Sequence, residues 1–232
     1  MRKAWNRGLN KNNNLSVRKI SDTMKKRKVD NFSNWREKMR KTGKIKSNYP
    51  DFVKDGDLAE FIGVILGDGH ICKFPRTESL SLFSNSNNLG FVKRYAKIFE
   101  KVFHKKPTIS KRSKMNCIKI NIYEKNISKR LGIYSGARIK RKIIIPDWIL
   151  LNDDFVVRYL RGLYEAEGCF CAHKPTGTYK LFFSNRNISM LKNVFSLLKR
   201  LGFHPHIRYC DVQLSRKEEV KRAMEILNFK KY

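Results

Sequence analysis

The sequence has 232 residues, with 51 Lys or Arg against 20 Asp or Glu, for a formal charge of +31. Hydrophobic residues at 41% and aromatics at 12% are enough for a folded core, which excludes a disordered basic polymer. There is no run of about 18 apolar residues, no apolar leader, and five cysteines without a CxxC pair, so a reduced, intracellular protein with no membrane span is expected.

Residues 1–50 carry 16 Lys or Arg against Asp22, Asp30 and Glu37, a local +13 with few aliphatics. The asparagines Asn10, Asn12, Asn13 and Asn14 and the run Lys25-Lys26-Arg27-Lys28 do not suit a compact core. This stretch reads as a basic arm with one short helix around Ser16–Lys28 and extended chain elsewhere, bounded near Pro50.

From residue 57 the sequence repeats itself. An apolar run, Leu58–Leu66, ends in Gly67-Asp68-Gly69, and a second, Phe155–Tyr164, ends in Glu165-Ala166-Glu167-Gly168. Asp57, and Asp153 or Asp154, stand where N-caps belong. Each run leads to a strand and then to a second strand with similar text, Leu82-Phe83-Ser84-Asn85-Ser86-Asn87 and Phe182-Phe183-Ser184-Asn185-Arg186-Asn187, offset by 100 residues. Amphipathic helices follow at Leu89–Phe103 and Ile188–Leu201, then alternating strands at Cys117–Ile122 and Asp211–Ser215. Helices near Asn126–Leu131 and Lys217–Leu227 close the copies. The pattern predicts an α+β fold made of two αββαββα repeats, 57–150 and 153–232, related by a pseudo-twofold axis within one chain.

Gly63 and Gly67 of the first run align with Gly162 and Ala166 of the second. Glycine inside a helix costs about 1 kcal/mol relative to alanine, a loss that close helix–helix packing can offset. Such packing would bring Asp68 and Glu167 together at two helix C-termini, where both the helix dipoles and the like charges oppose them. A divalent cation with a preference for hard oxygen ligands, such as Mg²⁺, resolves this conflict. The competing reading makes each acid a solvated helix terminator beside a glycine.

The runs Phe61–Gly69 and Leu160–Gly168 resemble the paired motifs of the LAGLIDADG homing endonucleases, and the similarity extends over 57–232 in repeat order and spacing. The resemblance implies a monomeric pseudo-dimer with two saddle-shaped sheets on double-stranded DNA, cutting phosphodiesters at long target sites. It implies Asp68 and Glu167 as catalytic metal ligands, Gly67 and Ala166 beside them in the metal site, and about two or three Mg²⁺ ions. Glu167 departs from the usual aspartate by one methylene. Ser84 and Ser184 occupy the family's polar strand-end positions, and Lys142, in the Arg141-Lys142 pair, is the candidate lysine near the scissile phosphate. The second half offers no clear counterpart to Lys142.

Lys119 and Asn121 alternate with isoleucines, Arg208 flanks Ile207, and Gln213 separates Val212 from Leu214, which predicts one polar face per sheet for reading a major groove. Arg76 and Lys174 fall on the expected hairpin tips, and Arg186 follows the second strand of the second repeat. Residues 1–50 resemble modular DNA-binding segments attached to homing endonucleases. Two further functions fit the same resemblance: an intron maturase that binds RNA, and a DNA-binding regulator that does not cut. Cys169, Cys171 and His173 alternate along a strand but lack a fourth ligand for zinc.

Overall fold

A computed structural model describes residues 4–28, 30, 32–46, 48–111 and 115–232, apart from the Lys174 side chain. The chain divides into two units, at residues 1–49 and 50–232. In the first unit, α1 (Leu15–Lys26) starts at Asn14, whose side chain accepts a hydrogen bond from the Val17 amide at 3.1 Å. A second helix, α2 (Ser33–Lys41), occupies a stretch that the sequence reading leaves extended. Its last turn holds Lys38, Arg40 and Lys41, which suit the helix dipole, and Lys41 pairs with Glu37 one turn earlier at 3.1 Å. Neither helix buries a residue, and Leu15, Ile20 and Trp35 remain exposed.

The second unit runs α3 (Gly56–Asp68), β1 (Gly69–Lys73), β2 (Glu78–Asn85), α4 (Leu89–Phe103), β3 (Thr108–Lys111), β4 (Cys117–Glu124) and α5 (Ile127–Leu131). After a short α6 (Asp147–Leu150) come α7 (Asp153–Glu167), β5 (Gly168–His173), β6 (Thr178–Ser184), α8 (Ile188–Arg200), β7 (His206–Arg208), β8 (Asp211–Leu214) and α9 (Lys217–Leu227). Each half forms a four-stranded antiparallel sheet, ordered β1-β2-β4-β3 and β5-β6-β8-β7. This is the expected duplicated α+β architecture. Among the described residues, no helix is long and apolar enough to cross a membrane.

The caps fall slightly earlier than the sequence reading places them. Asp55 caps α3, accepting from the Leu58 amide at 2.7 Å, and Asn152 caps α7, accepting from the Asp154 amide at 2.8 Å. Asp57 instead pairs with Lys101 at 2.8 Å and with Arg158 of α7.

α3 and α7 share a more extensive contact than any other two elements. A Cβ at Gly63 would lie 2.3 Å from the Tyr159 carbonyl oxygen, and one at Gly162 would lie 2.0 Å from that of Glu60. No side chain fits between backbones this close, so both positions require glycine. On either side of the pair, the inner sheet faces (Leu80, Leu82, Ile120 and Ile122; Leu181, Phe183, Val212 and Leu214) pack under α4 and α8. Each such side chain contributes about 1.5–3 kcal/mol by burial.

The strands correct the offset of 100. Gly69 pairs with Leu82, and its equivalent Gly168 pairs with Phe183, so β2 and β6 correspond at 101 while the motif helices correspond at 99. The second hairpin is two residues longer, and the connection to the next helix shortens to compensate. A one-residue slip moves a side chain to the opposite sheet face. Ser84 therefore shares the inner face with Leu80 and Leu82, whereas Ser184 shares the outer face with Phe182.

Candidate functional site

The helix contact fixes where the two acids lie. At the C-terminal ends of α3 and α7 a Cβ on Gly67 would stand 2.4 Å from the Ala166 Cβ. The next residue on each helix is an acid, Asp68 or Glu167. Gly67, Glu167, His70, Arg138, Ser184 and Arg186 border a cleft of about 580 Å³ at this junction.

Asp68 has its pKa pushed up to about 6, first by loss of hydration and then by the neighbouring Glu167 charge, with Lys230 pulling the other way. The Glu167 carboxyl is also raised by burial, but Asn185 Nδ2 donates to its Oε1 at 3.2 Å and partly offsets the cost. The two halves therefore carry one restrained acid and one that its neighbours destabilise as an anion.

One cation meets the end of each motif helix. Arg138 Nη2 donates to the carbonyl oxygens of Gly69 at 2.6 Å and Ile65 at 3.0 Å, while its Nη1 is buried without a partner. Lys230 Nζ donates to the Gly168 carbonyl at 2.6 Å. Gly69 and Gly168 are equivalent in the repeat, so each motif helix ends under one cation that opposes the negative end of its dipole. Both cations are held by their surroundings. Asn187 Nδ2 donates to the carbonyls of Arg138 and Arg141 at 2.7 and 2.8 Å, and the Lys230 amide donates to Glu165 Oε1 at 3.0 Å. Sequence reasoning missed Arg138 and Lys230 because they lie 92 residues apart rather than 99, in segments without periodicity. It named Asn185 only as strand-end text, without a role.

The other expected site residues are scattered. Lys142 is exposed and borders a small apolar hollow with Ile62, Leu66 and Pro146, which shares Leu66 and Ile143 with the acid cleft. Ser84 donates to the Asn85 carbonyl at 3.4 Å, whereas Ser184 and Arg186 are exposed at the cleft. Lys119 and Asn121 share the outer face of the first sheet, but Asn121 is 5% exposed and its Oδ1 accepts from Ser79 and Ser81 at 2.8 and 2.7 Å. Gln213, on the outer face of the second sheet, is 6% exposed and donates to Ser215 at 2.6 Å. Arg208 and Arg76 are exposed, on β7 and in the β1–β2 turn, and the backbone of Lys174 lies in the turn before β6. Cys169 and Cys171 are free and exposed, and among the described residues no three His, Cys, Asp or Glu side chains gather around a common point.

Residues 154–231, which comprise the second repeat, match a family described as LAGLIDADG-like domain. The second repeat is therefore similar to LAGLIDADG-like domains. The first repeat carries the equivalent helix, sheet order and acid. Two curated proteins of Methanocaldococcus jannaschii are 29% identical to this chain. One is a replication factor C small subunit, matched over 88% of this chain and 11% of that protein. The other is a glutamine--fructose-6-phosphate aminotransferase, matched over 48% and 10%. The chain thus spans about a tenth of the length of the curated relatives it matches. Mesophilic variants of the homing endonuclease I-DmoI share the fold, with a TM-score of 0.53 at 18% identity over 74% of this chain and 94% of that one. A crystal structure of I-DmoI in complex with DNA and Mn gives 0.52 at 17% identity over 76% and 98%.

Proposed function

We propose that this protein is a LAGLIDADG-type, site-specific endonuclease that cuts double-stranded DNA with Mg²⁺. The observation that carries the proposal is the pair of carboxylates, Asp68 and Glu167, set side by side at two helix ends by glycine contacts in a strongly basic chain. A structural role for these acids would not call for two repelling groups at the same junction.

The residues present suit a divalent cation. Both carboxylates are hard oxygen donors, helix C-termini leave carbonyl oxygens such as those of Gly67 and Ala166 without intrahelical partners, and burial first, then the Glu167 charge, push the Asp68 carboxyl up to about 6. Bound there, Mg²⁺ supplies an acidified water and charge stabilisation at phosphorus. Asp68 and Glu167 would hold the cation, and Asn185 orients Glu167. Arg138 and Lys230 fix the helix ends and place positive charge beside the phosphate, the role the sequence reading assigns to Lys142. Because one chain supplies both acids, it acts as a monomer with an internal pseudo-twofold axis.

The outer sheet faces lie along the DNA. Lys119, Ser184, Arg186 and Arg208 are the side chains available for phosphates and base edges, with Arg76 further from the centre. Asn121 and Gln213 act indirectly, by holding the hydroxyls of Ser79, Ser81 and Ser215 in position. Residues 1–50, with their +13, neutralise phosphates outside this footprint.

The test is incubation of the protein with plasmid carrying the sequence that flanks its reading frame, joined without interruption. Linear product in Mg²⁺, with binding but no product in Ca²⁺, supports the reading. Binding without cutting in Mg²⁺ overturns it in favour of a DNA-binding scaffold, and splicing of a flanking intron transcript without DNA cleavage overturns it in favour of a maturase.

A further inference from the structure

A second cationic cleft of about 470 Å³ runs along the α4 side of the motif helices, from Asp57 near the start of α3 to Tyr232 beside Glu165 near the end of α7, and is bordered by Lys93, Arg94, Lys97, Lys101, Arg158 and Lys231. Asp57, at its edge, is eleven residues from Asp68 on α3, which corresponds to about 16 Å of helix rise. Since α4 packs on the inner face of the first sheet, this cleft opens on the side of that sheet away from the outer face bearing Lys119.

Its charge is built in two layers. The floor is an ion-pair network around Glu60, which is fully buried and accepts from Arg94 Nε and Nη2 at 2.7 Å each, with Arg158 Nε at 2.9 Å. Asp57 neutralises Lys101 at 2.8 Å. Above this floor, Lys93, Lys97 and Lys231 are exposed and face no carboxylate within ion-pair distance among the described residues. Lys93, Lys97 and Lys101 recur every four residues along α4, a row of lysines set about 6 Å apart along the helix axis.

One aromatic ring completes the cleft. Tyr232 is 54% exposed at its edge, while its hydroxyl donates to Glu165 and its ring meets Phe91 edge-on at 6.5 Å. A pinned, half-exposed ring beside the unpaired lysines Lys93, Lys97 and Lys231 has the two features that bind single-stranded nucleic acid: a charged track for the backbone and a platform for a base.

We propose that this cleft is a second nucleic-acid site, which takes a single-stranded phosphodiester backbone across Lys93, Lys97 and Lys231 and stacks one base on Tyr232. The proposal uses neither carboxylate of the acid pair, so it holds whether or not the protein cuts DNA. The strand is either RNA or single-stranded DNA; the phosphate and base chemistry is common to both.

The test uses fluorescein-labelled oligouridine and oligothymidine of about 12 nucleotides, with anisotropy measured across a salt series. Lys93→Gln/Lys97→Gln should weaken binding about tenfold at moderate salt. The same variant should lower the slope of log affinity against log salt by about 1.4, since each phosphate contact on a single strand contributes about 0.7. Tyr232→Phe, which keeps the ring and loses the Glu165 contact, should bind as the parent does, and Tyr232→Leu should bind more weakly. This contrast separates stacking from loss of folding. Tighter binding of the uridine oligomer assigns the strand as RNA through its 2′-hydroxyls, and equal or tighter binding of the thymidine oligomer assigns it as DNA. An unchanged salt slope in Lys93→Gln/Lys97→Gln overturns the proposal. So does crosslinking of a 4-thiouridine oligomer only to the outer sheet faces or to residues 1–50.

Discussion

The two halves of the folded unit follow one plan but hold their acids differently. In the second half Glu167 is tethered by Asn185, and the Lys230 segment beside it is tied to Glu165 by a main-chain hydrogen bond. In the first half Asp68 is shorter, no side-chain hydrogen bond restrains its carboxylate among the described residues, and its pKa is raised to about 6 by dehydration and by Glu167. A duplicated fold places equivalent residues at equivalent points, but side-chain length and strand register then make the two sites unequal. The internal symmetry is therefore one of backbone rather than of chemistry.

The strongest way to break the comparison is at the contact that both halves share. Gly162→Val puts a branched side chain where even a Cβ would lie 2.0 Å from the Glu60 carbonyl oxygen, and separates the helices that hold both acids. A loss of about 3 kcal/mol or more in denaturant unfolding is expected, with both strand cleavages lost together. Wild-type stability in this variant would show that the helices do not depend on close packing.

Removal of one cation at a time tests whether Arg138 and Lys230 are equivalent. Arg138→Met and Lys230→Met should each slow cleavage about 10–100-fold, corresponding to about 1.4–2.8 kcal/mol, without changing the affinity for target DNA. Lys142→Met should leave the rate within about twofold of the parent. The reverse ranking would restore Lys142 to the site.

Asn185→Ala removes the tether on Glu167 alone and should make the second half resemble the first. A roughly fivefold slower cut of one strand is expected, seen as accumulation of nicked plasmid, whereas equal slowing of both strands would argue against independent sites.

The smallest effect concerns stability. Because Asp68 has a folded pKa of about 6, above its ordinary 3.8, the folded state binds the extra proton between these values. Stability should fall as pH rises through that window and stay lower above it. Asp68→Asn, assayed in chelator, should gain about 1 kcal/mol at pH 7–8, a value discounted for the solvent access of Asp68, and nothing below the unfolded pKa. A loss of stability at pH 8 would mean that the charge is compensated in the folded protein.

Much of this organisation was legible in the sequence because it rests on periodicity and on glycine. Gly63, Gly162, Asp68 and Glu167 announce the helix pair and its acids, and the alternation of Ile118, Ile120 and Ile122 announces an inner sheet face. The second hairpin's two additional residues were hidden by similar text on both sides, which put Ser84 and Ser184 in false correspondence. Arg138 and Lys230 lie in irregular segments where no pattern marks a side chain that caps a helix, and α2 forms without burying a residue, so no apolar stripe signals it. Asn121 and Gln213 carry the residue types of base readers, yet their amides already engage neighbouring hydroxyls on the sheet surface, a relation between strands that one strand's sequence does not display.

The most direct measurement compares wild type, Asp68→Asn and Glu167→Gln on the same target DNA, reading affinity in Ca²⁺ and strand cleavage in Mg²⁺. The expected result is unchanged affinity with cleavage reduced by about a thousandfold or more in each variant, equivalent to at least about 4 kcal/mol of lost transition-state stabilisation. Cleavage retained in either variant would contradict the assignment of that acid to the metal site.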